Sequence, residues 1–372
     1  MNAEILNDAI ELRHELHTIA EPSGKEVKTK KRLMEFLKQK TNLEIVDRGF
    51  WFYAVYKAQN PKGSIAFRAD FDAIGVTEKT NLPYCSKNPE AAHKCGHDGH
   101  SSTLSAFARV ISQEGSDKDI YFIFQNAEET GEGGEPASML IEEKRIQNVF
   151  AVHNCPGIKF GNLGLINGTV NCASKGLIIK FHGIPSHASE PEKGRNPSFA
   201  ISKTVLEVEK FLGERNFKGI TLATVIQIKV GERTFGVSAF EGELLYTLRG
   251  EHENEYEELE NKVKECCEKN AKEYGLTVDY SYSEPFPATV NHDESVDFLR
   301  KLAKEENFEV HEMKEPIRAS EDFGYYLRKT KGALIWIGAG ENHPSLHSAD
   351  FDFNDKLIPV VVRLFKAIVD KI

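Results

Sequence analysis

The chain has 372 residues, of which 40% are hydrophobic and 28% are charged, and its formal net charge is −10. This length suffices for roughly two domains with sizeable cores, and the acidic balance argues against nonspecific nucleic-acid binding. No apolar run approaches the ~20 residues of a membrane-spanning helix, and the acidic amphipathic N-terminus lacks the apolar core of a secretory signal.

Strand-like and helical runs alternate over the first part of the chain. The expected elements are a strand at 64–71, a helix at about 101–113, a strand at 119–127, a helix at 136–146 and a strand at 148–154. This alternation predicts an α/β domain with a mostly parallel sheet. In such sheets, functional groups gather at the carboxyl ends of the strands.

The order of elements changes between residues 173 and 285. The pattern there predicts a strand, a helix, two strands, a long charged helix and a final strand, which is the ferredoxin-like β-α-β-β-α-β order. The α/β pattern then resumes with a helix, an apolar strand at 333–340 and a terminal helix from about residue 354. We therefore predict a discontinuous catalytic domain, 1–172 and 286–372, interrupted by an inserted domain, 173–285.

The six cysteines form no CxxC pair. Without a secretory signal, we expect reduced thiols and a cytoplasmic protein. The adjacent Cys266 and Cys267 lie in a charged helical stretch, where partly buried helix positions are expected.

The segment Lys94–His100, KCGHDGH, places one thiol, two imidazoles and one carboxylate within a few residues. Taken alone, it is compatible with a metal site, with a polar helix start, or with a Cys95 nucleophile whose base is His97. The nucleophile alternative needs a lowered thiol pKa, and it leaves the other polar clusters of the chain unexplained.

Those other clusters follow the predicted strands of the α/β domain. They are Asp70 with Asp72, Glu128 with Glu129, His153, and His343 with His347. Each cluster alone is more often structural, but their joint position at strand ends predicts one common site. Thiolate, imidazole and carboxylate are metal ligands, and the set exceeds what one tetrahedral ion needs. Two ions ~3.5–4 Å apart with a shared ligand would use Cys95, His97, Glu129, His153 and His347.

The ordered motifs C-G-H-D-x-H, A-E-E, V-H-N, G-x-x-S-H-A-S-x-P and L-H-S resemble the M20 family of metallopeptidases. The resemblance is strongest to its amidohydrolase branch, which includes aminoacylases, auxin-conjugate hydrolases and N-acetyl-diaminopimelate deacetylases. Arg68-Ala69-Asp70 stands where the peptidase branch has an H-x-D motif. The resemblance spans nearly the whole chain and implies a zinc-peptidase-like catalytic domain with an inserted lid or dimerisation domain.

The resemblance also implies roles for individual residues. Cys95 would bridge two divalent ions, zinc or manganese, whose other ligands are His97, Glu129, His153 and His347. Glu128 would be the general base towards a metal-activated water, and His187 would bind the oxyanion, in cis or from a partner subunit. Arg249 would hold a substrate carboxylate, with a strand salt bridge as the alternative. The residues expected to orient the ligands are Asp70, Asp72, Asp98 and His100.

Two segments depart from the family pattern without touching a predicted ligand. HTIAEPSGKE replaces an early H-P-E-L-(G/S) motif, and Phe235-Gly236-Val237-Ser238 replaces N-V-I-P in the lid. We expect a homodimeric amidohydrolase that acts on N-acyl amino acids or related small amides. The alternatives are a dipeptidase or carboxypeptidase on the same site, a Cys95-nucleophile amidase and an inactive peptide-binding homologue.

Overall fold

The computed structural model describes residues 1–372, which form two compact units. Unit 1 comprises residues 1–170, 289–316 and 321–372, and unit 2 comprises residues 171–288 and 317–320. Unit 2 therefore includes the short segment 317–320, which the sequence pattern had assigned to the catalytic domain. No helix is both long and apolar enough to cross a membrane.

The elements are numbered in chain order. Unit 1 begins with α1 (Ala3–Thr18), α2 (Val27–Lys40), β1 (Glu44–Asp47), β2 (Phe52–Tyr56), β3 (Ser64–Asp70), α3 (His97–Glu114), β4 (Asp119–Gln125), α4 (Gly134–Lys144), β5 (Asn148–Pro156), β6 (Leu163–Leu165) and β7 (Gly168–Asn171). Unit 2 contains β8 (Ala173–His182), β9 (Ser186–His187), α5 (Ser198–Glu214), β10 (Thr221–Val230), β11 (Val237–Ser238), β12 (Glu241–Gly250), α6 (Glu253–Glu273) and β13 (Thr277–Phe286). The chain returns to unit 1 with β14 (Thr289–Asn291), α7 (Asp293–Glu306), β15 (Val310–Glu312), α8 (Gly324–Leu327), β16 (Lys331–Gly340) and α9 (Leu357–Lys371).

An eight-stranded sheet with the order β1-β2-β4-β3-β5-β16-β6-β15 forms the centre of unit 1. The neighbouring strands β4, β3, β5 and β16 are parallel, which confirms the predicted mostly parallel sheet. Their nearly continuous apolar runs are buried, as is usual when helices cover both faces of a parallel sheet. The carboxyl ends of these strands consequently meet at one edge.

Aromatic packing fixes α3 and α9 against this sheet. The ring of Phe67 in β3 lies 5.0 Å from that of Phe107 in α3 and 4.6 Å from that of Phe365 in α9, measured between centroids. All three side chains are buried in the main core of unit 1. This packing holds α3 against the sheet, and the first turn of α3 lies at the carboxyl ends of the strands.

Unit 2 has a four-stranded antiparallel sheet with the order β10-β12-β8-β13, packed against α5 and α6. The chain order β8-α5-β10-β12-α6-β13 is the predicted ferredoxin-like arrangement. In β12, alternate residues such as Leu244, Tyr246 and Leu248 are buried, as expected when one face of a strand meets the core. Cys266 and Cys267 of α6 are buried in the same core.

Candidate metal centre

The strand ends of unit 1 carry the polar residues that the sequence pattern singled out. Asp70 ends β3, Asp72 follows it, Glu128 and Glu129 follow β4, His153 lies in β5, and His347 lies in the loop after β16. The residues Cys95 and His97 come from the start of α3. The parallel topology thus brings segments from widely separated parts of the chain to one edge.

The turn between Cys95 and His97 depends on Gly96. Its φ of +99° lies in the left-handed region, and a Cβ there would come within 2.5 Å of Oδ1 of Asn154. Glycine alone tolerates both conditions. The helix that we expected to start near residue 101 therefore begins at His97. The segment KCGHDGH is both a helix start and the source of two candidate ligands.

The five candidate ligands lie close together. The Sγ atom of Cys95 is 3.5 Å from Nε2 of His153. Glu129 Oε1 is 3.7 Å from Nε2 of His97 and 3.5 Å from Nε2 of His347. In each of two sets, Cys95–His97–His153 and Cys95–Glu129–His347, the ligand atoms lie within 4.8 Å of one another. The thiol belongs to both sets, as a ligand that bridges two ions must.

The donor atoms themselves test whether a metal fits. Nε2 of His97 and Oε1 of Glu129 are buried without a hydrogen-bond partner, which costs about 1–3 kcal/mol for each atom. Burial, and then the charge of Glu129, raises the pKa of the Cys95 thiol well above its usual value. A divalent cation would pair with the orphaned atoms and favour the thiolate. The residues present therefore fit a pair of divalent metal ions.

Asp72 orients two of the candidate ligands. Its Oδ1 lies 3.1 Å from Nδ1 of His97, so that Nε2 of the same ring faces the other donors. Its Oδ2 accepts the backbone N–H of Glu129 at 3.0 Å. A carboxylate that fixes a ligating imidazole in this way is a frequent partner of metal sites.

Asp70 and His100 form a second supporting pair. Oδ1 of Asp70 lies 2.6 Å from Nδ1 of His100, and Oδ2 accepts from Nη1 of Arg68 at 2.6 Å. The His100 ring lies 4.6 Å from the His153 ring between centroids, in an edge-to-face arrangement. Asp70 thus holds the imidazole of His100 next to the candidate ligand His153.

Asp98 has a different environment from the one that we expected. Its Oδ2 accepts hydrogen bonds from Arg13 at 3.3 Å and from Nδ1 of His17 at 2.8 Å, both on α1. Its Oδ1 accepts the backbone N–H of Gly99. Asp98 therefore anchors the first turn of α3 to α1 instead of contacting a candidate ligand.

Glu128 lies beside two acidic residues that the sequence pattern did not identify, Glu321 and Asp322. Carboxylate oxygens of the three lie within 4.8 Å of one another, and Arg68 pairs with Glu321 at 3.1 Å and with Asp322 at 2.6 Å. Burial, and then the charge of Glu321, raises the pKa of Glu128 well above its usual value. In the sequence, these two residues are the adjacent acidic pair of ASEDFGYYL, which does not directly follow a predicted strand.

The backbone is strained at two points of the site. Ala127, directly before Glu128, has a φ of +48°, and His347 has a φ of +63°. Residues other than glycine adopt this left-handed region rarely, and such strain persists where the surrounding contacts impose it. Ala127 directly precedes the candidate base Glu128, and His347 is itself a candidate ligand.

The two predicted site residues of the inserted domain lie in unit 2. His187 of β9 is exposed, and its Nδ1 lies 2.6 Å from Oγ of Ser189. β9 pairs with β11, whose Val237 lies opposite His187. Arg249 donates from Nη1 to the carbonyl oxygen of Arg318 at 2.7 Å and to Oγ of Ser320 at 3.0 Å.

A parallel sheet with candidate metal-ligand side chains at its carboxyl edge, together with a ferredoxin-like second unit, is the arrangement that the resemblance to metallopeptidases implies. Residues 66–371 match the family model described as Peptidase family M20/M25/M40, and the chain belongs to this family. The family resemblance inferred from the motifs is thereby confirmed.

Similar proteins cover nearly the full length of the chain. An N-acetyldiaminopimelate deacetylase of Exiguobacterium sibiricum is 27% identical over 363 residues, which are 96% of this chain and 97% of the relative. A hippurate hydrolase of Campylobacter jejuni is 31% identical over 359 residues, which are 93% and 92% of the two chains. A Bacillus subtilis structure described as a dinuclear metal-binding peptidase of the M20 family has a TM-score of 0.83 at 22% identity, covering 100% of both chains.

Proposed function

We propose that this protein is an amidohydrolase that splits the amide bond of N-acyl amino acids and related small amides into a carboxylate and an amine. The observation that carries the proposal is the pair of donor sets that share Cys95, with Glu128 adjacent to them. The names of two relatives, a deacetylase and a hippurate hydrolase, support the same class of substrate.

Two divalent ions would be held by Cys95, which belongs to both donor sets, together with His97, Glu129, His153 and His347. When bound, two divalent ions lower the pKa of water and polarise the amide carbonyl. The thiolate and imidazoles suit zinc, whereas the carboxylate also admits manganese. The described dinuclear character of the Bacillus subtilis protein supports a pair of ions.

Glu128 acts as the general base and then as the general acid. Its carboxylate takes a proton from the attacking water and returns it to the amine nitrogen as the C–N bond breaks. Burial, and then the charge of Glu321, favour this role, because they raise the proton affinity of Glu128. A carboxylate with a raised pKa is a stronger base towards the attacking water than one with an ordinary carboxyl pKa, so the raised pKa of Glu128 assists the first proton transfer.

Unit 2 supplies the groups that recognise the substrate in this proposal. The exposed imidazole of His187 would donate a hydrogen bond to the oxyanion, from the same chain or from a partner subunit. The planar guanidinium of Arg249 would pair with the substrate carboxylate. Its present acceptors, the carbonyl of Arg318 and the hydroxyl of Ser320, are neutral groups that a carboxylate can replace.

We further propose a homodimer whose subunits join along β10. This strand is one edge of the unit 2 sheet, and its Val225, Ile226 and Ile228 are exposed. An edge strand has unpaired backbone N–H and C=O groups that another strand can join. Two copies of one strand can pair antiparallel about a twofold axis, which is the commonest symmetry of soluble oligomers.

The state of the cysteines supports a reducing compartment. All six are free in the structure and five are buried; Cys266 and Cys267 lie in the core of unit 2, and Cys95 lies in the candidate metal centre. We therefore propose a cytoplasmic location, where thiols stay reduced.

A metal-supplemented hydrolysis screen tests the proposed function. Purified protein with added zinc or manganese is incubated with N-acetyl amino acids, N-benzoylglycine and dipeptides, and the products are identified by mass spectrometry. We expect cleavage of N-acyl amino acids that a chelator abolishes. Cleavage of dipeptides alone would indicate a peptidase on the same site. Chelator-resistant activity that alkylation destroys would indicate a Cys95 nucleophile, and metal binding without hydrolysis would indicate a binding protein.

A further inference from the structure

The early segment Glu21–Glu26, within the stretch that departs from the family pattern, contacts two loops of the candidate metal centre. Glu26 is buried, and its Oε1 accepts the backbone N–H of Ala127 at 2.8 Å. Ser23 donates its hydroxyl to Oδ2 of Asp72 at 2.7 Å. The same oxygen of Asp72 accepts the N–H of Glu129. The segment therefore contacts Ala127, which precedes Glu128, and Asp72, which accepts the N–H of Glu129.

The backbone of Ala127 is the point at which the chain turns after β4. Its φ is +48°, and its carbonyl oxygen accepts the N–H groups of Glu132 at 3.2 Å and Gly133 at 3.1 Å. The carboxylate of Glu26 holds the other side of the same residue. A rotation at this position would displace the two residues that follow it, Glu128 and Glu129. Displacements of ~1 Å at reacting groups are sufficient to reduce rates strongly.

Glu26 joins this turn to a rigid element. It directly precedes α2, and its carbonyl oxygen accepts the N–H of Lys30 in the first turn of that helix at 3.2 Å. The main chain of Glu26 is thereby fixed to α2, while its side chain reaches the turn. If the side-chain acceptor were lost, the buried N–H of Ala127 would lose its partner, and the left-handed conformation would lose one of its restraints.

We propose that Glu26 is a positioning residue that holds the Ala127 turn and so places Glu128 and Glu129 for metal binding and proton transfer. The proposal rests on the proposed function, because it concerns the placement of the proposed base and of a proposed ligand. Hydrogen-bond acceptance is the property that the role requires. Burial, and then the charge of Asp72, raises the pKa of Glu26 to about 7, so a neutral acceptor of the same shape is a fair replacement.

The experiment compares Glu26→Gln, which keeps an acceptor, with Glu26→Met, which has similar volume and none. Glu35→Met on the exposed side of α2 is the matched control. The measurements are kcat, KM, the affinity for zinc or manganese by competition with a chelator, and amide hydrogen exchange of residues 126–131. We expect Glu26→Met to lose ~10–100-fold in kcat and in metal affinity, with faster exchange in that segment. Glu26→Gln should stay within about threefold of the unmodified protein, and Glu35→Met should match it.

A Glu26→Met protein with unchanged kcat, metal affinity and exchange overturns the proposal. So does a fall in thermal stability alone, or an equal loss in Glu26→Gln. If the unmodified protein hydrolyses no amide, the proposed function fails, whereas metal affinity and hydrogen exchange still test the role of Glu26. If Glu26→Met does not fold, Glu26→Asp replaces it, because aspartate retracts the acceptor by one methylene. This variant should also lose kcat and metal affinity, but by a smaller factor.

Discussion

The backbone N–H of His347 donates a 2.7 Å hydrogen bond to the carbonyl oxygen of Lys94. This bond ties the loop after β16 to the residue immediately before Cys95. The ammonium group of Lys94 is buried and donates to Glu78 at 2.6 Å and to the carbonyl oxygen of Phe351 at 2.9 Å. One buried lysine thus joins the two loops that carry candidate ligands from opposite ends of the chain.

Replacing the proposed general base should separate catalysis from metal binding. We expect Glu128→Gln to lower kcat by ~10²–10⁴-fold, because the amide cannot accept the proton of the attacking water. Metal content, measured by plasma mass spectrometry, should remain that of the unmodified protein. Glu132→Gln, an exposed residue of the same loop, serves as the control and should keep full activity. Full activity in Glu128→Gln would refute the assignment of the base.

Replacing the shared thiol should affect both metal positions. In Cys95→Ser we expect weaker binding of both ions and loss of activity, because a serine hydroxyl is a poor substitute for a bridging thiolate. Cys85→Ser, a half-buried cysteine outside the donor sets, should bind metal normally. Binding of two ions by Cys95→Ser with unchanged affinity would contradict the bridging role.

The start of α3 should not tolerate a methyl group at Gly99. A Cβ at this position would lie 2.2 Å from Cγ of Phe353, so we expect Gly99→Ala to lower the free energy of unfolding by ~1–3 kcal/mol. Gly213→Ala in α5, where no atom lies within 4 Å of the added Cβ, should be neutral or stabilising by up to ~1 kcal/mol.

A double-mutant cycle identifies the clash as the cause. In a Phe353→Ala background, which itself costs ~3–5 kcal/mol, Gly99→Ala should cost less than it does alone. Urea unfolding curves give the four free energies. Equal costs of Gly99→Ala in the two backgrounds would show that Phe353 is not responsible.

His17 should make the stability of unit 1 depend on pH. Burial opposes its protonation, but hydrogen bonds to Asp98 and Glu78 raise the pKa of His17 to about 9. Since this value lies above the unfolded value of ~6.5, the pairing contributes fully below that pH and is lost as the pH rises through about 9. The difference in unfolding free energy between the unmodified protein and His17→Gln should fall by on the order of 2–3 kcal/mol between pH 6 and pH 9.5.

Urea unfolding at several pH values measures this difference. The exposed His311→Gln is the control, and its effect should be small at both ends of the pH range. A His17→Gln penalty that is constant with pH would show that the histidine is not charged between its two carboxylates.

The proposed dimer predicts that a charge on β10 separates the subunits. We expect Ile226→Lys to be monomeric by size-exclusion chromatography with light scattering, because the lysine would be buried against the second copy. Ile184→Lys places the same charge on an isoleucine of similar exposure outside β10 and should remain dimeric. A monomeric unmodified protein would disprove the interface.

The regular elements were largely predictable because their signals are local. Apolar runs such as DIYFIFQ are buried on both faces of a parallel sheet, and β12 alternates as a strand with one buried face does. The start of α3 was placed too late, since the left-handed φ of Gly96 and the space beside it that Asn154 occupies are known only from the folded chain.

The sequence by itself determined the parallel sheet, the ferredoxin-like order and the set of residues that could bind metal, because these follow from periodicity and from side-chain chemistry. Only the tertiary structure decided which side chains meet. It placed Glu321 and Asp322 beside Glu128 through Arg68, brought Glu26 to Ala127, and gave Asp98 to α1. Such partners are far apart along the chain, and whether a charged side chain is buried, and beside which residue, is decided only when the chain is folded.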